Sequence, residues 1–400
     1  MSEPFTSTID TKNSSIKQKI LGLCVNEGDF SLADISKEVG SSIPTITKLV
    51  GELIEEGYLH DMGKQDTTGG RRPNLYGLNP DAGYIVGVDI RKKDLSIAIT
   101  DFKGQLKYFK DGITFKLQSS EESVDKMCSI ISQHTASAGI DKSRIRAYGF
   151  NITGRVNKEH GYCFEYFFGE DRTITDVLRE RLKTSVYVDN DSRAMTYGEY
   201  ICGVAGNETN MLFFNVTWGL GMGTITDGKL GYGKSGFSGE IGHIPILNNN
   251  QICQCGKTGC LETGASGAAL HRILMEKMAS GRASMLSDKY RNSQEITLDD
   301  ILDAISKEDV LAIEAIEEIG QTLGKAIACM INIFNPELVV IGGELATAKD
   351  YLLFPIKSAI NKHSLNMINR DTTIKFSKLG RKTGAIGACL LSRSKLLGLL

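Results

Sequence analysis

The stretch GHIPILNNNQICQCGKTGCLE, residues 242–262, sets His243, Cys253, Cys255 and Cys260 within eighteen residues. Zinc takes four nitrogen or sulfur ligands in a tetrahedron, and His-x9-Cys-x-Cys-x4-Cys supplies four from one loop. The glycines of CQCGKTGC let the backbone fold tightly enough for neighbouring cysteines to converge on one ion. A disulfide is the poorer reading, because Cys253 and Cys255 are too close in sequence to pair comfortably. Core thiols are poorer still, because QICQCGKTGC is polar. Four protein ligands leave no open coordination position, so the expected Zn2+ is structural. Glu240 and Glu262 bracket this loop, and the bland reading of each is a surface glutamate.

Composition bounds what surrounds the loop. The chain has 400 residues, 41% of them hydrophobic and 7 of them proline, which predicts a globular protein of two or three packed units. The polar start MSEPFTSTIDTKNSS has no apolar core of a signal peptide, and no apolar run reaches membrane-spanning length. The expectation is a cytoplasmic protein with reduced thiols and no membrane partner. Cys24, Cys128, Cys163, Cys202, Cys329 and Cys389 stand singly and read as small core residues. A net charge of −2 selects no particular partner.

The elements begin after an arm, residues 1 to about 14, that reads as disordered. Ile16, Ile20, Leu23 and Cys24 recur at helical spacing, and Leu32, Ile35 and Val39 make a second apolar face. Ser31 with Asp34 resembles a capping box, and Gly40 closes that helix. Ser42 and Pro44 open a third helix whose buried side is Ile46, Leu49, Val50, Leu53 and Ile54, with Gly57 as its stop. Two helices joined by VGSS form a helix-turn-helix, and YLHDMGKQDTTGGRRPNLYGL reads as two short strands around a glycine-rich wing tip. A plain interaction module of three helices and a hairpin fits the same pattern. Residues 1–80 hold eight Lys and Arg against eleven Asp and Glu, so overall charge does not favour DNA. Placement does. Ser42 opens the third helix, Thr45, Thr47 and Lys48 lie off its apolar face, and Lys64, Arg71 and Arg72 sit on the wing, a basic tip suited to phosphate.

From Tyr84 the texture becomes alternating strand and helix. The segments 84–104 and 210–230 both read as hairpins and share the tripeptide ITD, a weak internal duplication. A strand runs into a turn at 144–154, another into a helix at 185–200. A long helix then leads to a buried strand ending in Gly342-Gly343. The closing LLSRSKLLGLL reads as a short apolar helix, either packing surface or partner surface. The natural architecture is two α/β lobes with a cleft between them.

The pattern H-x9-C-x-C-G-x2-G-C-x-E, preceded by GEIGH, resembles the signature of the ROK family of bacterial sugar kinases and sugar-responsive repressors. The segment GGRRPNLYGLNPDAGYIVGVDI is similar to the junction in the repressor branch, where a winged helix precedes the sugar domain. The resemblance implies a winged helix-turn-helix over 1–80. A two-lobed, actin-like (ribonuclease H-like duplicated) ROK domain follows over 81–400, with the zinc loop at 243–260. It also implies that Glu240 and Glu262 accept hydrogen bonds from sugar hydroxyls. His243 would ligate zinc and aim its other ring nitrogen at a hydroxyl. Asn190 and Asp191 in VDNDSRA match the family's strand-end pair, and Asp191 takes the place of the general base in the kinases. Asp191 also reads as an N-cap for the following helix. Gly154 in NITGRV stands where the family has a Pro-Gly turn against the sugar, although the proline is absent.

Kinase and sensor are separated by the phosphate turns. ROK kinases carry Asp-x-Gly-Gly-Thr-Lys in the first hairpin, where glycine lets backbone N–H groups approach phosphate. This chain has Asp89-Ile90-Arg91-Lys92-Lys93-Asp94. Both glycines and the threonine are gone, and an acid stands where the lysine belongs, so positioning for phosphoryl transfer is lost. Gly219, Gly221 and Gly223 of the second hairpin survive, as does Gly342-Gly343, and glycines in hairpin turns need no ligand to explain them.

These expectations describe a ROK-type regulator without catalytic residues. It binds an inverted-repeat operator as a homodimer or larger homo-oligomer and senses a sugar or sugar derivative. The rival is a cytosolic ATP-dependent sugar kinase with an appended winged helix. A corepressor scaffold binding a protein through LLSRSKLLGLL is a third possibility.

Overall fold

A computed structural model describes residues 11–400 except 27, 65–72, 158–161, 164, 165, 167 and 169–171. The chain divides into two compact units, one of Met1–Ile201 with Gly384–Leu400 and one of Cys202–Thr383. Among the described residues no helix is long and apolar enough to cross a membrane.

The first unit opens with three helices, α1 (Thr11–Asn26), α2 (Leu32–Val39) and α3 (Ile43–Glu55). Helix α1 begins at Thr11, so residues 11–14 belong to it and not to an irregular arm; residues 1–10 lie outside the described residues. Ser31 and Ser42 cap α2 and α3 by accepting from the backbone N–H three residues on, and Gly40 closes α2 in the left-handed region at φ +71°. Ile20, Leu21, Cys24, Ile35, Ile46, Leu49, Val50 and Leu53 are buried together, while Ile54 is only half-buried. Lys17 of α1 bridges Glu52 of α3 and Glu56, the C-cap residue that follows it. An antiparallel sheet in the order Phe30–Ser31, Asn74–Leu78, Leu59–Lys64 completes a winged helix.

Two five-stranded sheets follow, one in each unit, with the same order and sense. In the first unit the order is Leu106–Thr114, Asp94–Asp101, Tyr84–Ile90, Ile145–Ile152, Ser185–Asn190. In the second it is Lys229–Leu230, Leu220–Thr226, Met211–Val216, Leu338–Gly342, Thr373–Phe376. Each begins as an antiparallel meander and continues with two parallel pairings. The repeat read from the shared ITD is therefore a repeat of whole lobes, the duplicated α/β arrangement of an actin-like fold.

The inner strands of the first sheet, Tyr84–Ile90, Asp94–Asp101 and Ile145–Ile152, are buried on both faces. One face packs Val86, Val88, Ile97 and Ile99 against Val124, Met127, Val177 and Leu178 of the helices Glu121–Ser137 and Ile174–Leu182. The other face receives the C-terminal helix Thr383–Leu396 so closely that a Cβ on Gly87 would lie 2.1 Å from the Ala385 carbonyl. Leu390, Leu391, Leu396 and Leu397 are buried, so LLSRSKLLGLL is mainly packing surface, and of its leucines only Leu400 at the end is exposed. In the second unit the long helix Val310–Phe334 packs on Asp350–His363. A Cβ on Gly324 would come within 2.7 Å of the Ala359 side chain.

Candidate functional site

The ligating atoms of His243, Cys253, Cys255 and Cys260 all lie within 4.8 Å of one another. His243 ends a short 3-10 turn, Ile241–His243, and Cys260 leads directly into another, Leu261–Thr263. Between them the backbone doubles back: Ile252 bridges Thr258, Pro245 bridges Cys260, and Cys253 N donates to Lys257 O at 2.8 Å. Gly256 and Gly259 make the reversal in the left-handed region, at φ +83° and +75°. A Cβ on Gly259 would also strike the Leu247 carbonyl at 2.7 Å. Cys253 Sγ stands 3.5 Å from His243 Nδ1, and Cys255 Sγ stands 3.6 Å from Cys260 Sγ. These are close to the edge lengths of a tetrahedron around zinc, roughly 3.5–3.8 Å for bonds of about 2.0–2.3 Å. The donor set and its spacing fit a bound metal. Burial pushes the Cys253 thiol up to about 12 and the Cys260 thiol upward, whereas the Lys257 N–H holds Cys255 below the ordinary thiol value.

The flanking glutamates attach to this loop differently. Glu262 is half-buried; its Oε2 accepts from Leu220 N at 3.0 Å and its Oε1 lies 3.7 Å from Cys253 Sγ. That approach needs Gly219, where a Cβ would sit 2.9 Å from the same carboxylate. Gly219 thus has a packing role without a phosphate, as does Gly342, whose Cβ would meet the Phe213 ring at 2.2 Å. Glu240 is exposed, and its Oε2 lies 3.7 Å from His243 Nε2. One imidazole nitrogen therefore faces the thiols and the other faces Glu240.

In the first unit Gly154, Asn190 and Asp191 come together where two parallel strands end. Asn190 Nδ2 donates to Gly154 O at 3.0 Å and to Asp191 Oδ1 at 2.9 Å. Gly154 has φ +110°, a conformation that excludes other residues and gives its placement a backbone reason. Asn190 Oδ1, not Asp191, accepts from Arg193 N and caps the helix Asp191–Cys202; Asp191 accepts from Ser192 N within its first turn. Sequence reasoning passed over Thr153, whose hydroxyl donates to Asp191 Oδ2 at 3.1 Å in the place of the missing proline turn. Burial raises the Asp191 carboxyl above its ordinary value, against hydrogen bonds that lower it. Behind it Asp189 is buried between Lys395 Nζ (2.6 Å) and Arg193 Nε (2.7 Å). Burial alone would raise this carboxyl, but the two cations outweigh that and hold it at about 2.

The first hairpin turn is filled from within. Arg91 Nε donates to Asp94 Oδ1 at 2.7 Å, Arg91 Nη2 to Asp111 Oδ1 at 2.6 Å, and Asp89 Oδ2 lies 3.7 Å from Nη1. Asp89 is 6% exposed, and burial pushes its carboxyl to about 7, with Arg91 pulling down and Asp191 pushing up. Neither Asp111, twenty residues away, nor the burial of Asp89 had a local sequence signal.

On α3, Ser42, Thr47 and Lys48 are exposed and Thr45 is half-buried. Ser42 Oγ lies 2.9 Å from Thr45 Oγ1, Thr47 Oγ1 donates to Ile43 O at 2.8 Å, and Lys48 Nζ lies 3.8 Å from Glu52. Arg71 and Arg72 lie outside the described residues.

Comparison with known proteins matches the ROK family over residues 85–395. The xylose repressor of Caldicellulosiruptor bescii is 29% identical over 387 residues, 95% of this chain and 96% of its own. The DNA-binding transcriptional dual regulator NagC of Escherichia coli is 29% identical over 376 residues, 93% and 91% of the two chains. A crystal structure of a ROK family transcriptional regulator, a homolog of the E. coli MLC protein, superposes with a TM-score of 0.81 at 27% identity, covering 98% of both chains. A ROK glucokinase of Streptomyces griseus shares the fold at a TM-score of 0.68 and 23% identity, and all of it is accommodated by 78% of this chain. The repressors thus match winged helix and lobes together, whereas the kinase leaves about a fifth of the chain unmatched. The chain belongs to the ROK family and stands with its transcriptional repressors, not with its kinases.

Proposed function

We propose that this ROK regulator binds an inverted-repeat operator and responds to a sugar or sugar derivative without phosphorylating it. The observation that carries the reading is a winged helix joined to a kinase-type fold whose first phosphate turn is filled by Arg91. The N-terminal end of α3, with Ser42, Thr45, Thr47 and Lys48, enters the major groove, and Arg71 and Arg72 of the wing meet phosphate. Residues 1–80 act as the DNA-binding domain and 81–400 as the sensor. One winged helix makes too few base contacts for a specific site, so the chain works as a homodimer or larger homo-oligomer.

Gly154, Asn190, Asp191, Glu240, His243 and Glu262 are the proposed sugar-contacting residues. Their support is chemical: carboxylates, an amide and an imidazole, each oriented by a second partner. His243, Cys253, Cys255 and Cys260 would hold zinc, which supplies a fixed structural centre when bound. Around it the chain's own residues orient the site, Glu262 through the Leu220 N–H and His243 through its Nδ1.

Selection of random duplex DNA by the purified chain, with and without a panel of sugars ranked by thermal shift, tests the reading. The expected result is an enriched inverted repeat in one state and not the other. Recovery of no enriched repeat in either state would make the winged helix an interaction module and overturn it.

A further inference from the structure

Helix α3 reaches solvent at its N-terminal end with side chains whose hydrogen bonding is largely turned inward. Ser42 Oγ accepts from Thr45 N and lies 2.9 Å from Thr45 Oγ1. The Thr47 hydroxyl donates back to Ile43 O, so the group it leaves outward is its methyl. Pro44 is exposed and offers a ring with no N–H. Ile43, the first residue of the helix, is 52% exposed, although the same helix buries Ile46, Leu49, Val50 and Leu53 to 1% or less. The tip therefore exposes apolar groups at the N-terminal end of an amphipathic helix, beyond its buried stretch.

The composition of α3 sharpens the point. IPTITKLVGELIE contains no Arg, Asn or Gln, three of the four side chains that read guanine and adenine edges by paired hydrogen bonds. Its one cation, Lys48, stands beside Glu52. The apolar group that base edges display in the major groove is the thymine C5-methyl. We infer that Ile43, with Pro44 and the Thr47 methyl beside it, reads thymine methyl groups. Each operator half-site then carries thymine where the tip of α3 enters the groove. The inference rests on the operator-binding reading and adds the chemistry by which the site is chosen.

The test uses the full-length chain and a duplex recovered by selection, with each thymine of a half-site replaced singly by uracil, which removes only the methyl. Fluorescence anisotropy compares the wild-type protein with Ile43→Ala and Ile43→Val. Uracil at one or two positions should weaken wild-type binding roughly fourfold each, the equivalent of one buried methyl group. Ile43→Ala should bind the thymine duplex more weakly and no longer distinguish uracil at those positions, with Ile43→Val between the two. Because Ile43 lies outside the buried face, an unchanged melting temperature checks that the variants fold. Wild-type binding indifferent to uracil at every position, or full discrimination retained by Ile43→Ala, would overturn the inference while leaving operator binding intact. Failure to bind any duplex specifically would overturn both.

Discussion

The His/Cys loop makes a prediction whose size follows from its donor set. Three of the four ligating atoms are thiol sulfurs, and zinc binds thiolates. With ordinary thiol values near 8.5, the cysteines of the metal-free loop are largely protonated at neutral pH. Binding one zinc must then release about three protons per chain. The apparent affinity should fall about a thousandfold for each pH unit below neutrality, one factor of ten per thiol. The sulfur–nitrogen separation of 3.5 Å and the sulfur–sulfur separation of 3.6 Å already approximate a tetrahedron, so little affinity is spent on rearranging the loop.

Two measurements check this. Elemental analysis of protein purified without chelator should find one zinc per chain. Titration of the metal-stripped protein in weakly buffered solution with a pH indicator counts the protons released. Cys253→Ser should lower the count to about two and move the metal from tight to easily chelated. Glu262 Oε1 lies 3.7 Å from the same sulfur, so sugar response should disappear over the same range of chelator concentration. Release of one proton or fewer, or sugar binding indifferent to complete metal removal, would refute the reasoning.

Other expectations are narrower. Asp191→Ala and Glu240→Ala should each weaken sugar binding by about 1–3 kcal/mol, the cost of leaving buried hydroxyls without partners; calorimetric titration showing unchanged affinity for both would remove them from the site. Replacing Arg71 and Arg72 by alanine should weaken all duplexes alike and reduce the salt slope by about 2, one for each phosphate no longer neutralised. Asp189, held at about 2 against an ordinary 3.8, contributes roughly 2 kcal/mol of stability. Its folded value is depressed, so that stability is complete above about pH 4 and is lost as pH falls toward 2. Urea midpoints followed over this range should decline in the wild type by more than in Asp189→Asn, and parallel declines would contradict the ion-pair account.

What could be read from the sequence was whatever depends on near neighbours. The caps at Ser31 and Ser42, the stop at Gly40 and the clustering of His243 with the three cysteines are set by residues within a turn or a loop of each other. The twin hairpins were legible because each strand and its return lie within about twenty residues. Interactions closed by distant parts of the chain were not legible. Thr153 reaches Asp191 across thirty-eight residues, and Arg393 is buried against the carbonyl of Lys103 across two hundred and ninety. The C-terminal LLSRSKLLGLL is apolar in either of its two readings; only the sheet that it covers decides between packing and partner surface. Asn190 took the capping role expected of Asp191 because its side-chain oxygen, one residue earlier, is the one within reach of the third backbone N–H.

The first hairpin turn shows how a fold of this kind keeps its architecture without phosphoryl transfer. Asp89 is buried, and a buried carboxylate is costly without an opposing charge. Arg91 supplies one from inside the chain, 3.7 Å away, and is itself fixed by Asp94 and Asp111. The backbone is committed as well, since Arg91 N donates to Asp94 O at 2.9 Å and is not available to a phosphate oxygen. Three carboxylates around one guanidinium leave the cluster acidic when all are ionised, and an acidic cluster repels a nucleotide. The exposed Lys92 and Lys93 add charge where water screens it most. Asp191 lies close enough to raise the Asp89 carboxyl, so the filled turn and the strand end proposed to contact sugar share one electrostatic environment. A neutral hydroxyl-rich ligand suits that environment; a triphosphate does not.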